Sequence, residues 1–138
     1  MRKIFSCLFA LVLAFSIGLT GCSAADTTAS SSDGLTGNYQ QDTLALISSL
    51  REAISAPADA PDKMATEAEA KKMINTFASR YRRDNSVAAL SSFTTVRTAL
   101  NALAGHYSSY PNRPIPEKLK NRLEQEFKQA EAALRRES

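Results

Sequence analysis

The chain has 138 residues, enough for one domain, and 43% of them are apolar, which excludes a disordered chain. Its formal charge of +3 comes from 17 basic and 14 acidic side chains. Removal of a leader carrying Arg2 and Lys3 leaves 15 basic against 14 acidic, a net +1, too little for a general nucleic-acid-binding surface.

Residues 1–21 read as an export signal. Arg2 and Lys3 are its positive start, and Ile4 to Leu19 form an apolar stretch too short for a permanent span, which needs about 20 residues. The stretch ends in Leu19-Thr20-Gly21-Cys22, which looks like a bacterial lipobox: an aliphatic residue, two small ones, then the thiol that takes the lipid. Cleavage before Cys22 is therefore expected, with N-acyl and S-diacylglycerol groups on that cysteine. The competing reading is an ordinary signal cut nearby. Cys7 leaves with the leader, so no intramolecular disulfide is expected. Residues 22–37, from Cys22 through Ser30-Ser31-Ser32-Asp33-Gly34, read as a small, polar, flexible tether.

Residues 38–138 are expected to form four helices. The first runs from about Asn38 to Ala56, with Thr43, Leu46, Ile47, Leu50 and Ile54 on one face, and is broken by Pro57 and Pro61. The second runs from about Asp62, a capping residue, to Arg83, with Ala70, Met73, Ile74, Phe77 and Tyr81 as its stripe. After the turn Asp84-Asn85-Ser86, the third runs to Tyr107, carrying Leu90, Phe93, Val96, Leu100, Leu103 and Tyr107; Gly105 should weaken its last turn. Tyr110-Pro111-Asn112-Arg113-Pro114 reads as a rigid loop. The fourth runs from about Pro116 to Arg136, with Leu119, Leu123, Phe127, Ala130 and Leu134 inward and the surface pairs Lys120/Glu124, Glu124/Lys128 and Glu131/Arg135. No segment alternates with period two. Short connections imply an all-α, up-down-up-down antiparallel four-helix bundle.

Catalytic and metal-binding patterns are not found. His106, the sole histidine, has no nucleophile or carboxylate near it in sequence and reads as a surface or capping residue. Glu-x-x-His pairs, CxxC pairs and phosphate-binding glycine loops are missing. No enzyme, metal site or cofactor beyond the lipid is expected. What remains is a protein-binding surface: Arg80, Arg82 and Arg83 closing the second helix, and Tyr107, Tyr110 and Arg113 around the rigid loop, since Arg and Tyr most often anchor interfaces. The plainer alternative is that Tyr81 and Tyr107 finish their core stripes and the arginines are solvated.

Several segments carry a resemblance: Leu35-Thr36-Gly37-Asn38-Tyr39, Asp42-Thr43-Leu44-Ala45, Leu50-Arg51-Glu52-Ala53-Ile54, Arg80-Tyr81-Arg82-Arg83, Ser92-Phe93-Thr94-Thr95, Thr98-Ala99-Leu100-Asn101, Leu103-Ala104-Gly105 and Arg113-Pro114-Ile115-Pro116-Glu117-Lys118-Leu119-Lys120. In order, from about Leu35 to the carboxyl end, they resemble the Psb-twenty-seven family of photosystem II assembly lipoproteins, cyanobacterial type. The resemblance implies a four-helix bundle without catalytic activity or pigment, lipid-anchored on the lumenal side of the thylakoid membrane and monomeric when free. It implies binding to immature or damaged photosystem II, on the lumenal domain of an inner chlorophyll-binding antenna subunit. Such a protein acts in assembly and repair while the oxygen-evolving manganese cluster is absent or forming. Two alternatives stand beside it: a manganese-handling lipoprotein, and an unrelated membrane-anchored scaffold.

Overall fold

The computed structural model describes residues 34–138; the leader, Cys22 and most of the tether lie outside them. The described residues form five helices and no strand: α1 Tyr39–Ser55, α2 Lys63–Tyr81, α3 Asn85–Ala88, α4 Ser91–Ser109 and α5 Glu117–Glu137.

Each boundary has a local cause. Asn38 caps α1, its side chain accepting from the Gln41 amide at 3.0 Å. That helix stops at Ser55 because the residue before Pro57 is pushed into extended backbone. Asp62 flanks α2 but makes no capping hydrogen bond, contrary to expectation; its side chain is exposed. At the far end of α4, Asn112 takes a left-handed turn with φ 65°, a conformation Asn tolerates. Pro116 caps α5 from outside, so the helix proper begins at Glu117.

The expected third helix is two. Asp84 starts a separate short helix, its Oδ1 accepting from the Ser86 amide at 3.0 Å. Leu90 is extended, at φ −74° and ψ 140°, and α4 starts only after it. The apolar rhythm conceals the break because Leu90 still packs against the core from its N-cap position. The first turn of α4 has no side-chain cap of its own. Glu137, at the end of α5, supplies one by accepting from the Ser92 amide at 3.0 Å.

The apolar stripes meet in one core. Leu50, Leu103, Leu123 and Phe127 are fully enclosed, and Phe77 nearly so; burial of each such side chain contributes about 1.5–3 kcal/mol. Helix α1 packs on α2 and α5, and α4 packs on α2, α3 and α5. Hydrogen bonds fix which ends meet. Asp42 near the start of α1 reaches Tyr81 at the end of α2, Tyr39 shares a 2.8 Å bond with Ser92 at the start of α4, and Gln40 donates to Ser138 beyond α5 at 2.7 Å. The starts of α1 and α4 and the ends of α2 and α5 thus form one end of the domain, the entry end. The loops 56–62 and 110–116 form the other, the loop end.

Two of the expected surface pairs on α5 are redirected. Glu124 and Glu131 both turn to Arg51 of α1, at 2.9 and 2.6 Å, and Lys120 pairs with Glu117 at 3.2 Å. Glu124 keeps a loose contact with Lys128 at 3.9 Å. The two carboxylates hold the Arg51 guanidinium well above its usual pKa, and its charge lies 5.9 Å from the Phe127 ring centre. The network is one-third exposed, so its contribution is about 1 kcal/mol per pair at most.

Candidate functional site

The six residues assigned to one binding surface do not form one. Arg80, Arg82 and Arg83 stand at the entry end, while Tyr107, Tyr110 and Arg113 belong to the loop end. From Ser92 to Tyr107 along α4 is about 22 Å at 1.5 Å per residue.

At the entry end the buried polar groups are engaged. Asp42, 3% exposed, accepts from the Thr36 amide at 2.8 Å, the Thr36 hydroxyl at 2.7 Å, the Gly37 amide at 3.0 Å and the Tyr81 hydroxyl. Burial pushes its carboxyl pKa up, but the Tyr81 hydroxyl, the Thr36 side chain and the two amides outweigh this and hold it below the ordinary value. Burial, then the bond to Asp42 and its charge, push the Tyr81 hydroxyl well above its usual value. Tyr39 completes the cluster, its ring 5.3 Å from Tyr81 and 6.4 Å from Phe93. The tether, read as running to residue 37, is therefore bound to the domain before α1 begins: Leu35 packs on the core, and Thr36 and Gly37 are held by Asp42.

Sequence reasoning missed both Asp42 and Arg51. The signal was present. Asp42 lies four residues before Leu46, on the apolar face of α1, and Arg51 lies four after Ile47. A charge on a buried face requires a partner from another element.

Tyr81 and Tyr107 are core residues. Tyr107 is 2% exposed, so it offers no surface to a partner, and its hydroxyl has no hydrogen-bond partner among the described residues. Burial, with Glu67 second, has its hydroxyl pKa pushed up to about 12. Lys71 lies 5.4 Å from the centre of its ring. His106 is half-buried in the last turn of α4; its ring lies tilted, 5.5 Å from that of Tyr110, and its Nε2 also lacks a partner among the described residues. Tyr110 is 52% exposed, and Arg113 is exposed beside it. With His106, Pro114, Ile115 and Pro116 they line an open hollow of about 570 Å³. Aromatic faces, a rigid proline wall and one free-standing guanidinium suit a shallow protein contact better than an enclosed small molecule.

No group of three or more metal-ligating side chains lies together among the described residues. No helix among the described residues is long and apolar enough to cross a membrane.

The family model described as Photosystem II Pbs27 matches residues 3–134. The chain is 59% identical over 138 residues to the Photosystem II assembly factor lipoprotein Psb27 of Thermosynechococcus vestitus, covering 100% of this chain and 98% of that one. It is 52% identical over 136 residues to the Photosystem II lipoprotein Psb27 of Synechocystis sp., covering 99% and 96% respectively. The solution structure of Psb27 from cyanobacterial photosystem II superposes with a TM-score of 0.72 at 50% identity, over 88% of this chain and 100% of that chain.

Proposed function

The chain belongs to the Photosystem II Pbs27 family, and from that premise we propose that it is a non-enzymatic accessory factor for photosystem II. It binds the lumenal face of the immature or damaged complex, on an inner chlorophyll-binding antenna subunit. It assists assembly and repair there while the oxygen-evolving manganese cluster forms. The observation that carries this reading is identity along the entire chain, leader included, to a lipoprotein named as a photosystem II assembly factor.

The proposed architecture is an up-down-up-down antiparallel four-helix bundle with α3 as an added turn. The proposed attachment is lipid on Cys22, holding the protein on the lumenal side of the thylakoid membrane, with no other cofactor. Tethering raises the effective concentration of the factor at the surface where its client is built. The protein contact is assigned to Tyr110 and Arg113, the exposed members of the loop end.

The test is a pull-down of tagged protein from detergent-solubilised membranes. Photosystem II core subunits, including the inner antenna, are expected to co-purify without the mature extrinsic proteins. Recovery of no photosystem subunit overturns the assignment. In the same assay Tyr110→Ala with Arg113→Glu should lower recovery at least about tenfold, as expected for loss of a central aromatic and arginine pair. Mass spectrometry of the mature amino terminus checks the lipid on Cys22, and calorimetric titration with Mn²⁺ should show no tight site.

A further inference from the structure

We infer that the entry end faces the membrane, with Arg80, Arg82 and Arg83 resting on the anionic headgroups of the lipid surface that holds Cys22. The inference rests on the anchor proposed above and adds an orientation and a lipid contact to it.

The point of chain entry is fixed by geometry. Thr36 and Gly37 are bound to Asp42 and Leu35 packs on the core, so the described chain begins beside the last turn of α2. Cys22 precedes Gly34 by 12 residues, which reach about 40 Å at most. Helix α5 has 21 residues and is about 32 Å long. With the entry end toward the lipid, the connection has little distance to cover. With the loop end toward it, the same residues must run back along the whole domain at close to full extension, losing most of their conformational freedom.

The charge at that end fits lipid phosphates. Arg80, Arg82 and Arg83 are all exposed, and none forms an ion pair among the described residues. Arg80 lies directly over the entering chain, its Nη2 2.8 Å from where a Cβ on Gly37 would stand. Arg135 and Arg136, also exposed, finish α5 at the same end. The acids there, Asp42, Asp84 and Glu137, accept hydrogen bonds from neutral groups and keep their charge, but the five arginines outnumber them. At the loop end Lys63 and Lys120 are paired with Glu67 and Glu117, and Arg113 and Lys118 are the exposed cations without an ion pair among the described residues. The planar guanidinium fork grips phosphate oxygens in pairs, and each cation near an anionic surface strengthens attachment about fivefold.

The full-length, processed protein is reconstituted on phosphatidylcholine vesicles with or without phosphatidylglycerol. A fluorophore is placed through Ala88→Cys at the entry end or Ser108→Cys at the loop end, and a headgroup-labelled quencher lipid reports proximity. On anionic vesicles the Ala88 position should be quenched at least about fivefold more than the Ser108 position. Arg82→Glu with Arg83→Glu, both exposed and unpaired, should bring the ratio toward one with helicity unchanged, as should salt near 1 M, where screening acts over about 3 Å. Equal quenching at both positions overturns the orientation. An unchanged ratio in the double variant overturns the lipid contact; if that variant also loses photosystem II in the pull-down, the arginines belong to an acidic protein loop. Flotation on pure phosphatidylcholine reports the anchor separately, and failure to float overturns the anchor and this orientation with it.

Discussion

The two ends of the domain each bury a tyrosine at the last turn of a helix, yet they treat it differently. At the entry end, Tyr81 donates to Asp42, which also gathers Thr36 and Gly37. At the loop end, Tyr107 is buried as deeply, but its hydroxyl has no partner among the described residues, and His106 Nε2 beside it has none either. The first end is closed by mutual satisfaction of polar groups. The second leaves polar capacity beside an exposed aromatic, Tyr110, and a hollow of about 570 Å³. Similar residues at two helix ends are thus treated differently: one end fixes the entering chain, and the other leaves buried polar capacity without a partner among the described residues.

The largest effect should come from Asp42→Ala. It orphans the Tyr81 hydroxyl and two amides in one step, and should destabilise the fold by about 3–4 kcal/mol in urea denaturation. A loss below about 1 kcal/mol breaks the picture of a closed entry end. The next comparison is between the tyrosines. Tyr81→Phe leaves a buried carboxylate short of one donor and should cost about 2 kcal/mol. Tyr107→Phe removes a hydroxyl that bonds nothing among the described residues, and its change should lie within about 0.5 kcal/mol of zero or be stabilising. Equal losses for both would erase the distinction between the ends. A smaller effect is expected from Gly37→Ala, at φ 85° and against Arg80. It should cost about 1 kcal/mol, because the Arg80 side chain can shift while the backbone strain remains.

The pH dependence sharpens the same contrast. The Asp42 carboxyl pKa is lower in the folded state than in the unfolded chain, so its stabilisation is present above about pH 4. It is lost as pH falls through the lower folded value, and Asp42→Asn should flatten that acid limb. Both tyrosine hydroxyls are raised. Their stabilisation is intact below about pH 10 and fades as pH rises, with the Tyr107 part lost through about 12. Tyr107→Phe should remove that part of the alkaline loss and leave the Tyr81 part.

Much of this molecule follows from local pattern. Leu46, Ile47 and Leu50 on α1, Ile74 and Phe77 on α2, and Leu123 and Phe127 on α5 repeat at helical spacing and are buried. Helical spacing dictates a shared face, and a shared apolar face must be covered. The proline-containing segments at 57–61 and 111–116 end helices for reasons of backbone sterics alone. Leu90 shows where pattern fails: its side chain keeps the apolar rhythm while its backbone has left the helix.

What only the tertiary structure decided are the meetings between distant residues. Asp42 with Tyr81, Arg51 with Glu124 and Glu131, and Glu137 with the open end of α4 are separated by 39, 73, 80 and 45 residues. Local spacing carries no information about such pairs, because a charge on a helix face selects its partner from whatever the fold brings across. The same limit placed Arg80 and Arg113 in one imagined patch. Sequence established that both are surface cations of a small helical lipoprotein-like chain; the length and direction of the helices set them at opposite ends.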